Sequence, residues 1–245
     1  MWDRPDLLNR LADLLVTVAV LLAIYGAVHV VVRLPLFALR EVRVASALTH
    51  VTSEDIETMI KREITGNFFT LDLAATRAAF EKLPWVRKVR VRRHWPARLD
   101  VRLEEHAPLA RWGNRALVNT HGEVFQAAYA GDLPVFVGPI ESAKEIAIQY
   151  EYFRRSLAAI GKTPVQVQLS PRRAWEVRLD SGPTLELGRE QVEARLARFV
   201  AAYSHTLGRL ERPIDYVDLR YANGFAVRIP ELRFQKTAPK RRRSA

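Results

Sequence analysis

The first strong pattern along the chain is an unbroken apolar run. Residues 14–32, LLVTVAVLLAIYGAVHVVV, hold 19 residues without a formal charge, bracketed by Asp13 and Arg33. At ~1.5 Å per residue a helix of that length reaches about 28 Å, close to the ~30 Å hydrocarbon layer of a bilayer, so one membrane-spanning helix is predicted. The run is too long for the apolar part of a typical signal peptide, and no clear small-x-small cleavage site follows it. A buried core helix is the competing reading; apolarity unbroken over this length is unusual in a soluble protein. His29 lies near the end of the run, which places it towards the head groups.

Beyond the span the period changes. LREVRVAS (39–46) alternates as a strand does, and THVTSEDIETMIKREI (49–64) opens a helix for which Ser53 is the expected N-cap, with Glu54 and Asp55 in the first turn. TLDLAATRAAFEKL (70–83) predicts a second helix, with Asp72 near its start and Pro84 at its end. WVRKVRVRR (85–93) and RLDVRLEE (98–105) predict two strands joined by HWPA, with Leu99, Val101 and Leu103 facing inward. Strand, helix, helix, strand, strand is a small α+β unit.

From Ala107 the pattern shifts. LARW (109–112), RALVN (115–119) and EVFQAA (123–128) predict short strands, LPVFVGP (133–139) an irregular stretch with two prolines, and residues 142–161 a helix closed by Gly161. PVQVQLS, AWEVRLD and PTLELG predict three more strands, the last two turning at Ser181-Gly182, and residues 190–207 a helix with the apolar stripe Val192, Leu196, Phe199, Val200 and Tyr203. VDLRYANGFAVRIP (217–230) closes the pattern as a hairpin: Val217, Leu219 and Tyr221 alternate before Asn223-Gly224, and Phe225, Val227 and Ile229 after it. A chain that ends on a strand often leaves a sheet edge, whose unpaired N–H and C=O groups invite another chain.

The 245 residues carry a formal net charge of +11, and no Cys. Residues 1–33 balance three Arg with three Asp, so the excess lies entirely on residues 34–245. Such an excess suits nucleic acid or phospholipid head groups without choosing between them. The Arg distribution on either side of the span leaves its orientation open. Lack of Cys excludes disulfides, thiolate metal sites and a Cys nucleophile.

Catalytic patterns are missing. The six His fall in no HxH or HExxH frame, and no phosphate loop, GxGxxG or GxSxG occurs. Glu104 and Glu105 are adjacent on a strand and therefore point to opposite faces, a poor geometry for acid–base work on one substrate. The Arg-rich strand VRKVRVRRHW is read as a solvated face with Trp95 packing the turn, in preference to a nucleic-acid surface. KRRR (240–243) is read as a lipid-attracting or solvated tail beside a membrane span. What remains is an anchored, two-part, non-catalytic module.

These pieces, in this order, resemble the FtsQ family of bacterial cell-division proteins. The resemblance rests on LPWVRKVRVRRHWPARLDVRLEEHAPLARW (83–112), LVNTHGEVF (117–125), RRAWEVRLDSGPTLELGRE (172–190), RLARFV (195–200) and YVDLRYANGFAV (216–227). It implies an α+β fold: a cytoplasmic segment 1–13, a transmembrane helix 14–32, a POTRA-like domain 38–106, an FtsQ-type β domain 107–230 ending in an edge strand, and a basic, disordered tail 231–245. It further implies a single-pass inner-membrane protein of the division septum, with residues 34–245 in the periplasm and the POTRA-like unit helping to localise it. No enzyme activity, cofactor, metal, nucleic acid or small-molecule substrate is implied.

The implied task is to recruit two single-span partners, FtsB and FtsL, and through them septal wall synthesis, with FtsB adding a strand to the closing edge. By motif position the partner-binding residues are Arg173, Arg220, Tyr221, Asn223, Gly224, Phe225, Ala226, Val227, Arg228 and Ile229. Arg173 matches an arginine used against acidic groups of FtsB, a task suited to the planar guanidinium. The chain departs from the family pattern at Arg228-Ile229, where a small residue and an aromatic are frequent; Arg228 there is suited to a partner carboxylate. Polypeptide secretion or assembly through a POTRA-type unit is the alternative function.

Overall fold

A computed structural model describes residues 5–34, 37–46, 48–180, 182–209 and 213–230. The basic tail 231–245, the first four residues and Ser181 of the predicted Ser-Gly turn lie outside them. The chain divides into two compact units, Met1–His106 and Ala107–Ala245.

The N-terminal unit begins with α1 (Pro5–Val32). Its stretch Asn9–Val32 is long and apolar enough to cross a membrane, and none of it is buried in the protein. Three strands follow, β1 (Glu41–Val44), β2 (Val86–His94) and β3 (Arg98–Glu105), with α2 (Ser53–Glu63) and α3 (Leu73–Phe80) between β1 and β2. β3 is central: β1 runs parallel to it and β2 antiparallel. Leu99, Val101 and Leu103 point from β3 into a core with Ile56, Leu71, Phe80, Val86 and Val89.

The cap of α2 is Thr52, one residue earlier than Ser53. Thr52 Oγ1 accepts from the Asp55 N–H (3.2 Å) and the Thr52 N–H donates to the Asp55 carboxylate (3.1 Å). This reciprocal box needs a carboxylate three residues after the cap, which Thr52 has in Asp55 and Ser53 does not have. Asp72 caps α3 through the N–H groups of Ala74 and Ala75. Trp95 departs from the expected packing: its ring is 65% exposed.

Glu105 ties the segment before α2 to the end of β3. Its carboxylate accepts from the N–H groups of Thr49 (2.9 Å), His50 (3.0 Å) and Val51 (2.8 Å). The His50 ring stacks on Trp85 with centroids 3.8 Å apart.

The C-terminal unit holds β4 (Pro108–Trp112), β5 (Ala116–Asn119), β6 (Val124–Phe125), β7 (Val135–Val137), β8 (Pro164–Leu169), β9 (Trp175–Leu179), β10 (Thr184–Gly188), β11 (Tyr216–Asp218) and β12 (Ala226–Arg228). Among the described residues they form one sheet of order β12-β11-β10-β9-β8-β7-β4-β5-β6. Two crossovers carry helices: α4 (Ala143–Ala158) joins the parallel pair β7 and β8, and α5 (Val192–Tyr203) the parallel pair β10 and β11. A parallel connection requires such a crossover. The helices pack their apolar faces on the sheet, where Ile146, Phe153, Leu157, Leu196 and Phe199 meet Val167, Val177, Leu185 and Val217.

The irregular stretch 133–139 contains a strand after all. β7 lies inside the sheet between β4 and β8, with Phe136 fully buried. Pro134 and Pro139 flank β7 rather than interrupt it, so no ladder N–H is lost, and the Pro134 carbonyl accepts from the Arg111 N–H (2.8 Å). By contrast EVFQAA contributes only the two residues of β6.

Glu105→Gln is expected to lower the stability of the N-terminal unit by about 1–3 kcal/mol, the cost of weakening a half-buried multi-donor site. Burial pushes the Glu105 carboxyl up, but the three backbone donors and His50 outweigh it and leave it below its usual 4.5. Its stabilisation is therefore complete above about 4.5 and fades as pH falls through the lower folded value. Hydrogen exchange of the Thr49–Val51 amides against pH checks both statements.

Candidate functional site

Among the described residues the sheet ends on β12, and the outer side of that strand follows from the direction of each backbone group. The Asp215 carbonyl accepts from the Thr184 N–H (2.9 Å), and the Leu219 N–H donates to the Glu186 carbonyl (2.9 Å). The Asp215 carbonyl and the Leu219 N–H flank Val217, whose peptide groups thus face β10, while the Asp215 N–H donates to the Arg228 carbonyl of β12 (3.1 Å). Alternation turns those of Tyr216 and Asp218 to β12, where their partners are Arg228 and Ala226. Val227, opposite Val217, must then direct its own N–H and C=O away from the sheet. Its side chain still packs on the core, while Ala226 and Arg228 are exposed.

The connection between β11 and β12 is longer than the two-residue Asn-Gly turn expected. It spans residues 219–225, and neither Asn223 nor Gly224 takes a positive φ. Contacts from α5 replace the local turn. Arg198 donates to the Tyr221 carbonyl (3.2 Å) and to the Ala222 carbonyl, and the Phe225 ring meets Phe199 edge-on at 6.2 Å. Between them lies a groove of about 470 Å³ lined by Phe199, Ala202, Asn223, Gly224 and Phe225, with Arg195 and Arg198 on its wall. Tyr221 is exposed and ends the apolar alternation begun by Val217 and Leu219.

Arg220 sits between two carboxylates. It contacts Asp218 through Nε (2.9 Å) and Nη2 (2.7 Å), and Glu186 through Nη1 (2.7 Å), yet its side chain is 52% exposed. Hydrogen bonding to Arg220 outweighs burial and holds the Asp218 carboxyl below its usual range. Glu186 moves the other way, raised by burial and by the charges of Asp218 and Glu176, against which the attraction of Arg220 is insufficient. One guanidinium thus serves Asp218 first. Gly188, at φ +73°, lets the arginines through: a Cβ there would stand 2.8 Å from Arg195 Nη1 and 3.1 Å from Arg220 Cγ.

Arg173 occupies the β8–β9 turn in the left-handed region at φ +67°, a conformation that costs a non-glycine residue on the order of 1 kcal/mol. Its guanidinium pairs with Glu145 of α4 at 2.6 Å. The registers Trp175↔Gly188 and Glu186↔Asp218 bring this turn to the same end of the sheet as Arg220, with β10 intervening. The structure thus gathers residues 220–229 on one edge and sets Arg173 at the turn into β9, three strands in from β12. Arg228 reaches over the Tyr216 ring at 5.8 Å, and Ile229 follows the strand half-buried.

Sequence reading missed the groups that hold this edge: Asp218, Glu186, Arg195 and Arg198. Only the i, i+3 spacing of the two arginines on α5 hinted that they share a face. Among the described residues no group of three or more His, Asp or Glu side chains gathers as a metal site.

An apolar helix fit to span a membrane, a small α+β unit and a long mixed sheet with an open terminal edge define a single-pass, POTRA-bearing protein. The family model "POTRA domain, FtsQ-type" matches residues 37–106, and "Cell division protein FtsQ/DivIB, C-terminal" matches residues 110–220. The chain is 48% identical to the cell division protein FtsQ of Nitrosospira multiformis over 233 residues, 93% of this chain and 99% of that protein. It is 42% identical to FtsQ of Burkholderia pseudomallei over 241 residues, 96% of each. FtsQ of Neisseria gonorrhoeae is 36% identical over 232 residues, 93% of this chain and 95% of that protein. The chain belongs to the FtsQ family of cell-division proteins.

Asp218→Asn is expected to destabilise the C-terminal unit by about 1–3 kcal/mol, since a buried carboxylate loses its charge-assisted pair with the half-exposed Arg220. Glu186→Gln is expected to be neutral or slightly stabilising at pH 7, because the fold already disfavours that charge. As pH falls Glu186 takes its proton first, above its usual 4.5, and relieves the site, whereas protonation of Asp218 below its usual 3.8 removes stability. Denaturant melts of the two variants across pH 3–7 check the opposite signs.

Proposed function

We propose that this protein is a non-catalytic scaffold of cell division whose β12 edge accepts a strand from an FtsB-type partner, linked with FtsL to septal wall synthesis. The observation that carries the reading is the outward N–H and C=O of Val227 on a terminal strand, beside an exposed arginine and an aromatic groove. Strand addition draws adhesion from such backbone pairs and specificity from alternate side chains. Phe225 and Ile229 flank the strand with the same parity as Val227. Arg220 and Arg228 offer guanidinium groups to partner carboxylates, and Arg173 does so once it leaves Glu145. Tyr221, Asn223, Gly224 and Ala226 complete the contact.

In this reading residues 1–13 are cytoplasmic, 14–32 span the inner membrane, and 38–106 and 107–230 are periplasmic domains at the septum, followed by the basic tail 231–245. The orientation rests on family membership, since the arginines about the span do not decide it.

The backbone parity gives the test its sharpness. Val227→Pro removes an N–H that points outward, and proline is tolerated on that side of an edge strand. Ala226→Pro removes one bonded to β11. Binding of the partner's extracytoplasmic segment to the full chain is expected to fall at least tenfold in Val227→Pro with the circular dichroism unchanged. Ala226→Pro is expected to loosen β12 itself and lower the melting temperature. Wild-type binding by a folded Val227→Pro variant sinks the strand-addition reading.

A further inference from the structure

The N-terminal unit carries a second exposed surface that the division role does not absorb. Phe37, Phe68, Phe69 and Trp95 form one aromatic cluster. Phe69 meets Phe37 at 5.0 Å and Phe68 at 5.2 Å, and Trp95 meets Phe68 at 5.8 Å. Phe68 is buried, but Phe69 is 43% and Trp95 65% exposed. Despite these ring contacts, the indole at the tip of the hairpin keeps most of its surface in water among the described residues.

This cluster lies at the end of the membrane helix. Asn67, itself 8% exposed, donates through Nδ2 to the Val32 carbonyl (2.7 Å), one of the groups that a helix C-terminus leaves unbonded. The Phe68 N–H donates to the Phe37 carbonyl (2.9 Å), and the Arg40 N–H to the Ala97 carbonyl of the hairpin tip (2.9 Å). Arg93 reaches back to the Leu71 carbonyl. Aromatic loop, hairpin tip and helix end are thus one hydrogen-bonded assembly.

Charge follows the same surface. The three segments that build it, 33–40, 65–71 and 90–97, contain five Arg and neither Asp nor Glu. The acids that border these segments are engaged elsewhere: Glu41 pairs with Arg43 at 3.1 Å, Asp72 caps α3 through the Ala74 and Ala75 N–H groups, and Asp100 pairs with Arg98 at 3.3 Å.

We propose that this aromatic and arginine surface docks on the anionic phospholipid head groups of the leaflet reached by the C-terminal end of α1. Trp95 and Phe69 enter the head-group layer, and Arg33, Arg40, Arg90 and Arg92 face lipid phosphates. Tryptophan is suited to that layer because its ring is apolar and its N–H polar, and arginines near an anionic leaflet are attracted to it. The occupant is lipid because the span itself delivers the surface to the bilayer. The consequence is a unit held flat at the membrane instead of swinging on its tether.

The chain has no Cys, so a single spin label reports one position. Trp95→Cys and His94→Cys carry the label at the tip, both at exposed sites. Leu22→Cys in α1 is the hydrocarbon standard and Ile148→Cys on α4 the water standard, each side chain being exposed. The labelled full chains are reconstituted into vesicles of phosphatidylethanolamine with phosphatidylglycerol, and collision rates with oxygen and with a water-soluble nickel chelate are compared. The oxygen-to-nickel ratio at 94 and 95 is expected to lie several-fold above that at 148 and below that at 22. In phosphatidylcholine vesicles it is expected to drop towards the water standard. Ratios at 94 and 95 equal to that at 148 in both vesicles overturn the proposal, and equal depth in both overturns the role of the arginines.

Discussion

A β-strand residue turns its N–H and C=O to one side only, and the C-terminal unit is organised around that restriction. β11 has two neighbours and divides its residues between them, odd positions to β10 and even positions to β12. Once α5 has carried the chain across to make β11 parallel to β10, nothing remains to choose. β12 must use residues 226 and 228 to hold on and leaves Val227 facing out. The open edge is therefore a consequence of an odd-numbered choice made one strand earlier.

The charges at that edge obey a similar economy of partners. Arg220 has more donors than Asp218 can accept, and its remaining ones reach Glu186, but the two carboxylates cannot both be stabilised by one cation in a half-buried place. The result is a guanidinium fixed on one side and still half open to water. Such an arginine combines a fixed guanidinium with access from solvent. Arg173 is held differently, in the left-handed region by its turn and paired with an exposed Glu145, a contact of little net strength.

Outside α1, where Tyr25 is exposed, each unit sets an exposed aromatic ring at a chain reversal. In the C-terminal unit Tyr221 and Phe225 stand in the 219–225 connection, braced by α5. In the N-terminal unit Trp95 stands at the β2–β3 tip, braced by Phe68. Reversals leave the ladder, so a large side chain there is free of the in–out alternation that governs the strands.

Much of the architecture was legible in the order of residues. A long charge-free run can only be satisfied by burial in protein or lipid, so α1 declared itself. Alternation in RLDVRLEE placed Leu99, Val101 and Leu103 inward, and the quoted motifs carried the family. Other features depended on distant contacts. VFV between two prolines reads as irregular until β4 and β8 close on either side of it. Asn223-Gly224 reads as a tight turn, but Arg198 and Phe199, more than twenty positions away, draw the connection out. Ser53 lost the cap to Thr52 because the reciprocal bond needs a carboxylate at one spacing. Local periodicity determines which face of an element is apolar, since that is a property of neighbours in sequence. Which strand ends the sheet, which backbone groups it leaves open and which arginine remains exposed are properties of neighbours in space, and only the tertiary structure decided them.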